Sequence, residues 1–329
     1  MSAIVRHWKR EGADVYIGRP GPWGNPFEIG THGDRDTVVS RYRQWHEDQP
    51  HLMRLARREL AGKTLGCWCA PEACHGDVLA LVANDGGPAN DPVLCFGSNE
   101  KGAHGRGAAL FARQHRGAVL GVGRGRTGNA YALPTKDLSL NSLPLQSIRD
   151  NVLEFLEYAR SRPTDTFEMT RVGCGLAGYG DDQIAPLFEG APANVDLPHR
   201  WRMLLRLPAA PHVIIAGSRS FADQARADAA LDKILSTLDA PIIISGAAKG
   251  ADTLGEEHAM SRWGNRTVPF MRYPAEWDRY LKPAGMIRNQ QMSRASSHLV
   301  VFWDGQSRGT KSMIDMATQD GLRVRVVRI

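Results

Sequence analysis

Cys67-Trp68-Cys69-Ala70-Pro71-Glu72-Ala73-Cys74-His75-Gly76-Asp77 packs three thiols, an imidazole and a carboxylate into one short run. Two chemistries suit that set. Thiolate and imidazole are ligands for zinc, and a thiolate of Cys69 or Cys74 beside His75, with Asp77 nearby, is a nucleophile. The spacing C-x-C-x4-C-H argues against the metal. Adjacent ligands at 74 and 75, and ligands at 67 and 69 alternating along a strand, do not readily converge on one tetrahedral ion. No metal ligand is assigned on this basis, and Cys69 and His75 stand as catalytic candidates. Cysteines packed as small buried hydrophobes are the third reading. Upstream, Gly18-Arg19-Pro20-Gly21-Pro22-Trp23-Gly24-Asn25-Pro26-Phe27 offers Arg19, Trp23 and Asn25 as a phosphate-contact and base-stacking set. The alternative is a proline-rich loop folded on its own tryptophan.

Glycines supply the second chemistry. Three glycine turns occupy the last third of the chain: Gly217-Ser218-Arg219, then Ser245-Gly246 to Gly250-Ala251-Asp252, then Asp304-Gly305-Gln306-Ser307-Arg308-Gly309-Thr310. A turn of this kind between strand and helix brings backbone N–H groups to an anion, whose charge the helix N-terminus favours. One such turn is commonly only a tight turn; three on one sheet edge make a nucleotide crevice. Asp252 and Glu256 are four apart and share a helix face. The middle third repeats the pattern with Gly97, Ser98 and Asn99 after a strand, then Gly105, Gly107 and Ala108 opening a helix. Lys136 at a strand end and Gly173, Gly175 and Gly178 complete that set.

The elements that must carry these residues alternate. In the last third, apolar runs His212–Ala216, Ile242–Ser245, His298–Phe302 and Val324–Val327 predict strands. Helical patterns at Asp223–Leu238, Asp252–Trp263, Ile287–Arg294 and Gly309–Asp320 lie between them. That order predicts a parallel sheet with crossover helices. The middle third alternates similarly through Val93–Phe96, a helix from Ala108, Ala130–Leu133, a helix Leu145–Arg160 and Thr166–Val172. The first third has helices at Thr37–His46 and His51–Leu60 and one strand entering Cys67. Linker-like stretches at Asn84–Pro92 and Leu207–Pro211 divide the chain into three α/β domains, 1–88, 89–207 and 208–329. The first is a small α+β domain holding the cysteines.

At 329 residues and net charge +6, the excess of cations is spread thinly and forms no stripe for a nucleic-acid backbone. Nucleic acid is therefore not an expected partner. No apolar run is long enough for a membrane span. The N-terminus lacks a secretory core and the cysteine count is odd, so a cytoplasmic protein is expected.

Residues 211–329 resemble the YspA-like branch of the SLOG superfamily, carried by GSR, SGAAKGAD-x-LGE-x-x-A, Tyr273 with Trp277, GMIRNQQM and FWDGQSRGT. The resemblance implies a Rossmann-like nucleotide-binding domain. It places Gly217, Ser218, Arg219, Gly246, Asp252, Glu256, Arg288, Asn289 and Gly309 at the pocket. Residues 93–198 resemble a macro domain of the terminal ADP-ribose glycohydrolase type, with Gly105–Ala109 and Gly173–Gly178 as ADP-ribose loops. That branch implies Lys136 as the attacking lysine. Its aspartate position holds Ala177 here, leaving Asp181 or Asp182 as substitutes. The segment 15–84 resembles a bacterial and phage family of uncharacterised function marked by GRP…WGNPF and CWC…CHGDVL.

Two domains point to nucleotide ligands. The first hypothesis is an enzyme that binds and cleaves an NAD- or ADP-ribose-derived nucleotide at a glycosidic or ribosyl-ester bond, using Lys136, Asp181 or Glu256 and no further cofactor. The second is a non-catalytic sensor or sequestering protein for a nucleotide signal in bacterial or phage conflict. A DNA- or RNA-processing role is the weakest, because the charge forms no patch. The SLOG resemblance also implies self-association into a homo-oligomer.

Overall fold

The computed structural model describes residues 2–329. They form two compact units, one joining Met1–Asn90 to Ala210–Ile329 and the other comprising Asp91–Ala209. The second is thus inserted in sequence between the halves of the first. Among the described residues, no helix is long and apolar enough to cross a membrane.

The N-terminal half of the first unit builds a small parallel sheet from β1 (Ile4–His7), β2 (Val15–Tyr16) and β3 (Thr64–Cys67), with β3 in the centre. Helices Arg35–Glu47, Pro50–Leu60 and His75–Asn84 cover it. The first starts where Asp34 accepts the Thr37 N–H at 2.9 Å, a side-chain cap for an otherwise unpaired donor. It buries Val38, Tyr42, Trp45 and His46, the i, i+4, i+7, i+8 stripe of an amphipathic helix.

The inserted unit is a five-stranded mixed sheet. Its strands are β4 (Val93–Asn99), β5 (Gly125–Thr127), β6 (Ala130–Lys136), β7 (Phe167–Met169) and β8 (Val195–Asp196), in the order β5-β6-β4-β7-β8. All pairs are parallel except β5 with β6. Helix Leu145–Arg160 lays Ile148, Val152, Phe155, Leu156 and Ala159 against it.

The C-terminal half holds β9 (His212–Gly217), β10 (Ile242–Ser245), β11 (Phe270–Arg272), β12 (His298–Trp303) and β13 (Arg323–Arg328). The order is β11-β10-β9-β12-β13 and every pair is parallel, so the Rossmann-like expectation holds. Helices on both faces bury the four central residues of β9 and of β12, which is why these strands read as unbroken apolar runs. The chain builds outward from β9 to β11, then returns to add β12 on the other side. The carboxyl ends of β9 and β12 therefore flank a topological switch point, where ligands enter such sheets.

The two halves of the first unit share one core that runs from Ile17, Tyr42 and Trp45 through Val213, Ile243 and Phe270. The join is a set of hydrogen bonds on an edge strand. Trp45 Nε1 donates to the Phe270 carbonyl at 2.8 Å, Gln49 accepts the Arg272 N–H at 2.9 Å, and His51 meets the Arg272 carbonyl. His51 also stacks on Tyr273 at 3.9 Å. Side chains of the N-terminal half thus satisfy the outward groups of β11, which would otherwise be an open edge.

Candidate functional site

The three glycine turns meet at the carboxyl edge of the C-terminal sheet. The Ser218 N–H donates to Phe302 at 3.0 Å and its hydroxyl to Asp304 at 3.3 Å, tying the first turn to the third. Gly250, at φ +83°, packs the second turn on the first: a Cβ there would lie 2.3 Å from the Ser218 carbonyl. Gly246 donates to Asp252 at 3.0 Å and its carbonyl accepts from Arg288. A Cβ on Gly246 would stand 1.7 Å from the Arg288 guanidinium and 2.7 Å from the Asp252 carboxylate, so a larger residue there must displace both side chains.

Arg288 lies 3.7 Å from Asp252 and donates to Asn289 at 2.9 Å. Burial pushes the Asp252 carboxyl up to about 6, against the pull of Arg288. Burial likewise lowers the Arg288 guanidinium. Arg219 and Lys249 are exposed on the adjoining turns. In the third turn, Asp304 accepts the Gln306 and Ser307 N–H groups, each at 2.9 Å; those bonds hold its carboxyl below the usual range. Ser307 caps helix Arg308–Gln319 through the Thr310 N–H, and Gly305 and Gly309 are exposed beside it. The arrangement presents cations, glycine backbone and a helix N-terminus at one edge, the chemistry of anion capture.

Glu256, one turn on, stays close enough to Asp252 to add to its upward shift and makes its own bonds with other partners. It accepts from Ser245 Oγ at 2.6 Å and from the Arg272 guanidinium at 2.6 and 3.0 Å. Arg272 then reaches the N-terminal half, donating to the Gly24 carbonyl at 2.8 Å and that of Pro22 at 3.2 Å. Beside this pair lies a cavity of about 540 Å³ lined by Arg19, Gly21 and Glu28 from one half and Ala247, Glu256 and Arg262 from the other. The bidentate guanidinium fixes the position of the Glu256 carboxyl group. The sequence pattern does not single out Arg272, because it closes a strand too short to stand out.

The N-terminal candidates divide. Arg19 is exposed and pairs with Glu28. Trp23 is only 3% exposed, and its carbonyl accepts the Tyr42 hydroxyl at 2.8 Å. Asn25 bonds Val38 and Phe27 backbone groups. Trp23 thus shapes the loop and offers no face to a base, whereas Asn25 shapes the loop and also borders a cavity of about 310 Å³.

The cysteine run departs from expectation. Cys67, Cys74 and His75 are all buried, with candidate ligand atoms within 4.8 Å of one another. The expectation of divergence assumed that 74 and 75 share one backbone conformation. In the structure Cys74 is an extended cap at φ −150°, ψ 172°, and His75 is the first helical residue, so neighbouring side chains turn to the same point. The tight turn through Cys69–Glu72 brings Cys74 back beside Cys67 at the end of β3. Hydrogen bonds from Cys74 and His75 draw the Cys67 thiol down, whereas the same contact and burial push Cys74 up. Cys69 lies between this group and Arg35, its thiol within hydrogen-bonding reach of both Cys67 and Arg35, and burial together with the neighbouring Cys67 raises it. The structure therefore groups His75 with Cys67 and Cys74, and places Cys69 next to Cys67 but not within 4.8 Å of all three ligand atoms.

In the inserted unit, Lys136 ends β6 and is half-buried. Gly97 lies against the Gly173 turn, its Cβ position 3.6 Å from the Gly173 nitrogen. Asn99 brackets Ala103 at 3.0 and 3.2 Å and so shapes the loop leading to Gly105, Gly107 and Ala108. Gly175 and Gly178 face open space. Asp181 is committed: Arg171, Arg200 and Trp201 donate to it at 2.6–2.8 Å. Burial opposes its ionisation, yet Arg171, Trp201 and Arg200 hold the carboxyl down at about 2. It is an ion-pair hub, without spare capacity to handle a substrate proton.

A parallel sheet with glycine turns and a buried arginine at its switch point defines a Rossmann-like class of protein with a site for nucleotide-related ligands. Residues 211–280 match the YspA, cpYpsA-related SLOG family, and residues 4–85 match a domain of unknown function, DUF4326. The chain belongs to the family of the Gene 61 protein of Mycobacterium phage D29, with which it is 32% identical over 118 residues, 34% of this chain and 92% of that one. An uncharacterised 12.4 kDa protein from the nrdA-td intergenic region of Enterobacteria phage T4 is 28% identical over 87 residues, 26% of this chain and 79% of that one. Among solved structures, DNA processing protein A of Helicobacter pylori, described for its single-stranded DNA binding mode, aligns at TM-score 0.28 and 17% identity. That alignment covers 36% of this chain and 65% of the other, and carries no argument about function.

Proposed function

We propose that the C-terminal half of the first unit binds a nucleotide-derived anion, an NAD or ADP-ribose derivative, at the switch point between β9 and β12. The observation that carries this reading is the cluster of Gly246, Asp252 and Arg288 beneath exposed Arg219. The internal bonds of that cluster hold the second turn in shape. The exposed Arg219 and Lys249, with the glycine backbone beside the N-terminus of helix Arg308–Gln319, supply the cations and donors suited to a pyrophosphate. Mass spectrometry of small molecules released from the purified chain tests it. Recovery of a stoichiometric nucleotide supports the reading; no retained or added nucleotide binding overturns it.

A cleavage reading draws on a separate observation. Glu256 borders the 540 Å³ cavity, held in place by Arg272 and Ser245. It would face the positive charge that develops on a ribose as a glycosidic bond breaks, with Arg272 offsetting part of its own. A second ADP-ribose site is proposed on the Gly105–Ala109 and Gly173–Gly178 loops of the inserted unit, with Lys136 at the end of β6. Chromatography of NAD and ADP-ribose after incubation separates enzyme from sensor. Products lost in Glu256→Gln place cleavage in the first unit, and products lost in Lys136→Ala place it in the second. Unchanged ligand leaves the sensor reading in force.

A further inference from the structure

We propose that Cys67, Cys74 and His75 hold a divalent cation of the zinc class, with its fourth coordination position open to the adjoining cavity. The three residues are 2%, 2% and 7% exposed, and both cysteines are free thiols. Their ligand atoms already lie within 4.8 Å of one another. Donors on one tetrahedral ion, with bonds of about 2.3 Å from sulfur and about 2.0 Å from nitrogen, stand roughly 3.5–3.8 Å apart. Little more than an ångström remains to close.

The surroundings orient each donor. His75 Nε2 donates to the Ile17 carbonyl at 2.8 Å, which keeps the lone pair on Nδ1; a second hydrogen bond of this kind is the usual support of a metal-bound imidazole. Cys74 caps helix His75–Asn84, and its sulfur accepts the Gly76 N–H at 3.2 Å, which fixes the sulfur beside Cys67 and His75. Two thiolates and a neutral imidazole balance a divalent charge and, being soft, select zinc over magnesium or calcium. Cys69 sits beside Cys67 on the same cavity, but its sulfur is not within 4.8 Å of all three ligand atoms, so the set is completed without it. A cavity of about 310 Å³ opens beside the thiols, with Arg19, Asn25, Arg35 and Trp68 in its wall. Its arginines suit a water or a small anion as the fourth ligand.

The full chain, purified without added metal and then loaded with zinc, is assayed by elemental mass spectrometry. We expect one zinc per chain, kept in Cys69→Ser and weakened more than about 100-fold in Cys67→Ser and Cys74→Ser. A Cys67–Cys74 disulfide under reducing conditions, or zinc content unchanged in both serine variants, overturns the proposal. Loss of a buried thiol can unfold the chain, so X-ray absorption on the zinc-loaded wild type decides independently. Two sulfurs with nitrogen and oxygen support the site; a three-sulfur shell overturns the open position, and an all-oxygen shell overturns the site.

Discussion

At Asp252 a carboxyl sits wholly buried beside one guanidinium, and its elevated pKa of about 6 makes it a titrating group within the binding cluster. A carboxyl whose folded value exceeds its unfolded one favours the native state only while protonated. Its contribution is complete below pH ~4 and is lost as pH rises through ~6, about 3 kcal/mol in all. Asp252→Asn keeps an acceptor for the Gly246 N–H, so urea titrations from pH 4 to 7 should show a flatter profile in the variant. A profile as steep as that of the wild type would contradict this assignment. Gly246→Ala drives a methyl into the Arg288 guanidinium, with an expected loss of 1–3 kcal/mol of stability, roughly the cost of overpacking, and weaker nucleotide binding in calorimetry. These positions are legible in the sequence because a glycine between strand and helix carries a geometric meaning of its own, the close approach that a side chain would forbid. Asp181, Trp23 and Asn25 are not, because a side chain's partners decide its role. Arg200 and Trp201 lie far enough along the chain from Asp181 that no local pattern links them.

At the scale of elements, the long strands and helices follow from periodicity, while the short ones follow from distant partners. β11 spans three residues, and its outward groups are satisfied by Trp45, Gln49 and His51, more than 200 positions upstream. No window of sequence contains that information, and β11 is absent from the pattern of alternating runs. Helix His75–Asn84 is hidden in a similar way. Its start coincides with the cysteine motif, and its apolar content, Val78, Leu79, Val82 and Ala83, is too short a stripe to separate from the linker behind it. Arg272 connects these elements by pairing with Glu256 and the Gly24 loop. Arg272→Met leaves the half-buried Glu256 carboxylate with Ser245 but without its guanidinium and should cost up to roughly 3 kcal/mol, read as a lowered urea midpoint. Adding Glu256→Gln should recover part of the loss; a double variant no more stable than Arg272→Met would show that the pair is not the source.

At the scale of the molecule, two halves of one core are separated in sequence by a complete second unit. The linkers around residues 84–92 and 207–211 are visible as composition, but that the outer segments fold together is not, since their contact is made by side chains on ordinary amphipathic helices. Residues 91–209 should therefore fold when expressed alone, whereas 210–329 alone should expose Phe270 and the β11 edge and regain stability only when 1–90 is supplied. Circular dichroism of the separate pieces, singly and mixed, checks this; a stable isolated 210–329 would contradict the shared core. The central claim, a nucleotide site at the β9–β12 switch point, is tested most directly by calorimetric titration of wild type and Arg219→Ala with ADP-ribose and NAD. Arg219 is exposed, so its loss should leave thermal stability intact while weakening binding at least about tenfold, the 1.5–3 kcal/mol of a charge-assisted contact. Equal affinity in the two proteins, or no binding by either, would contradict the account.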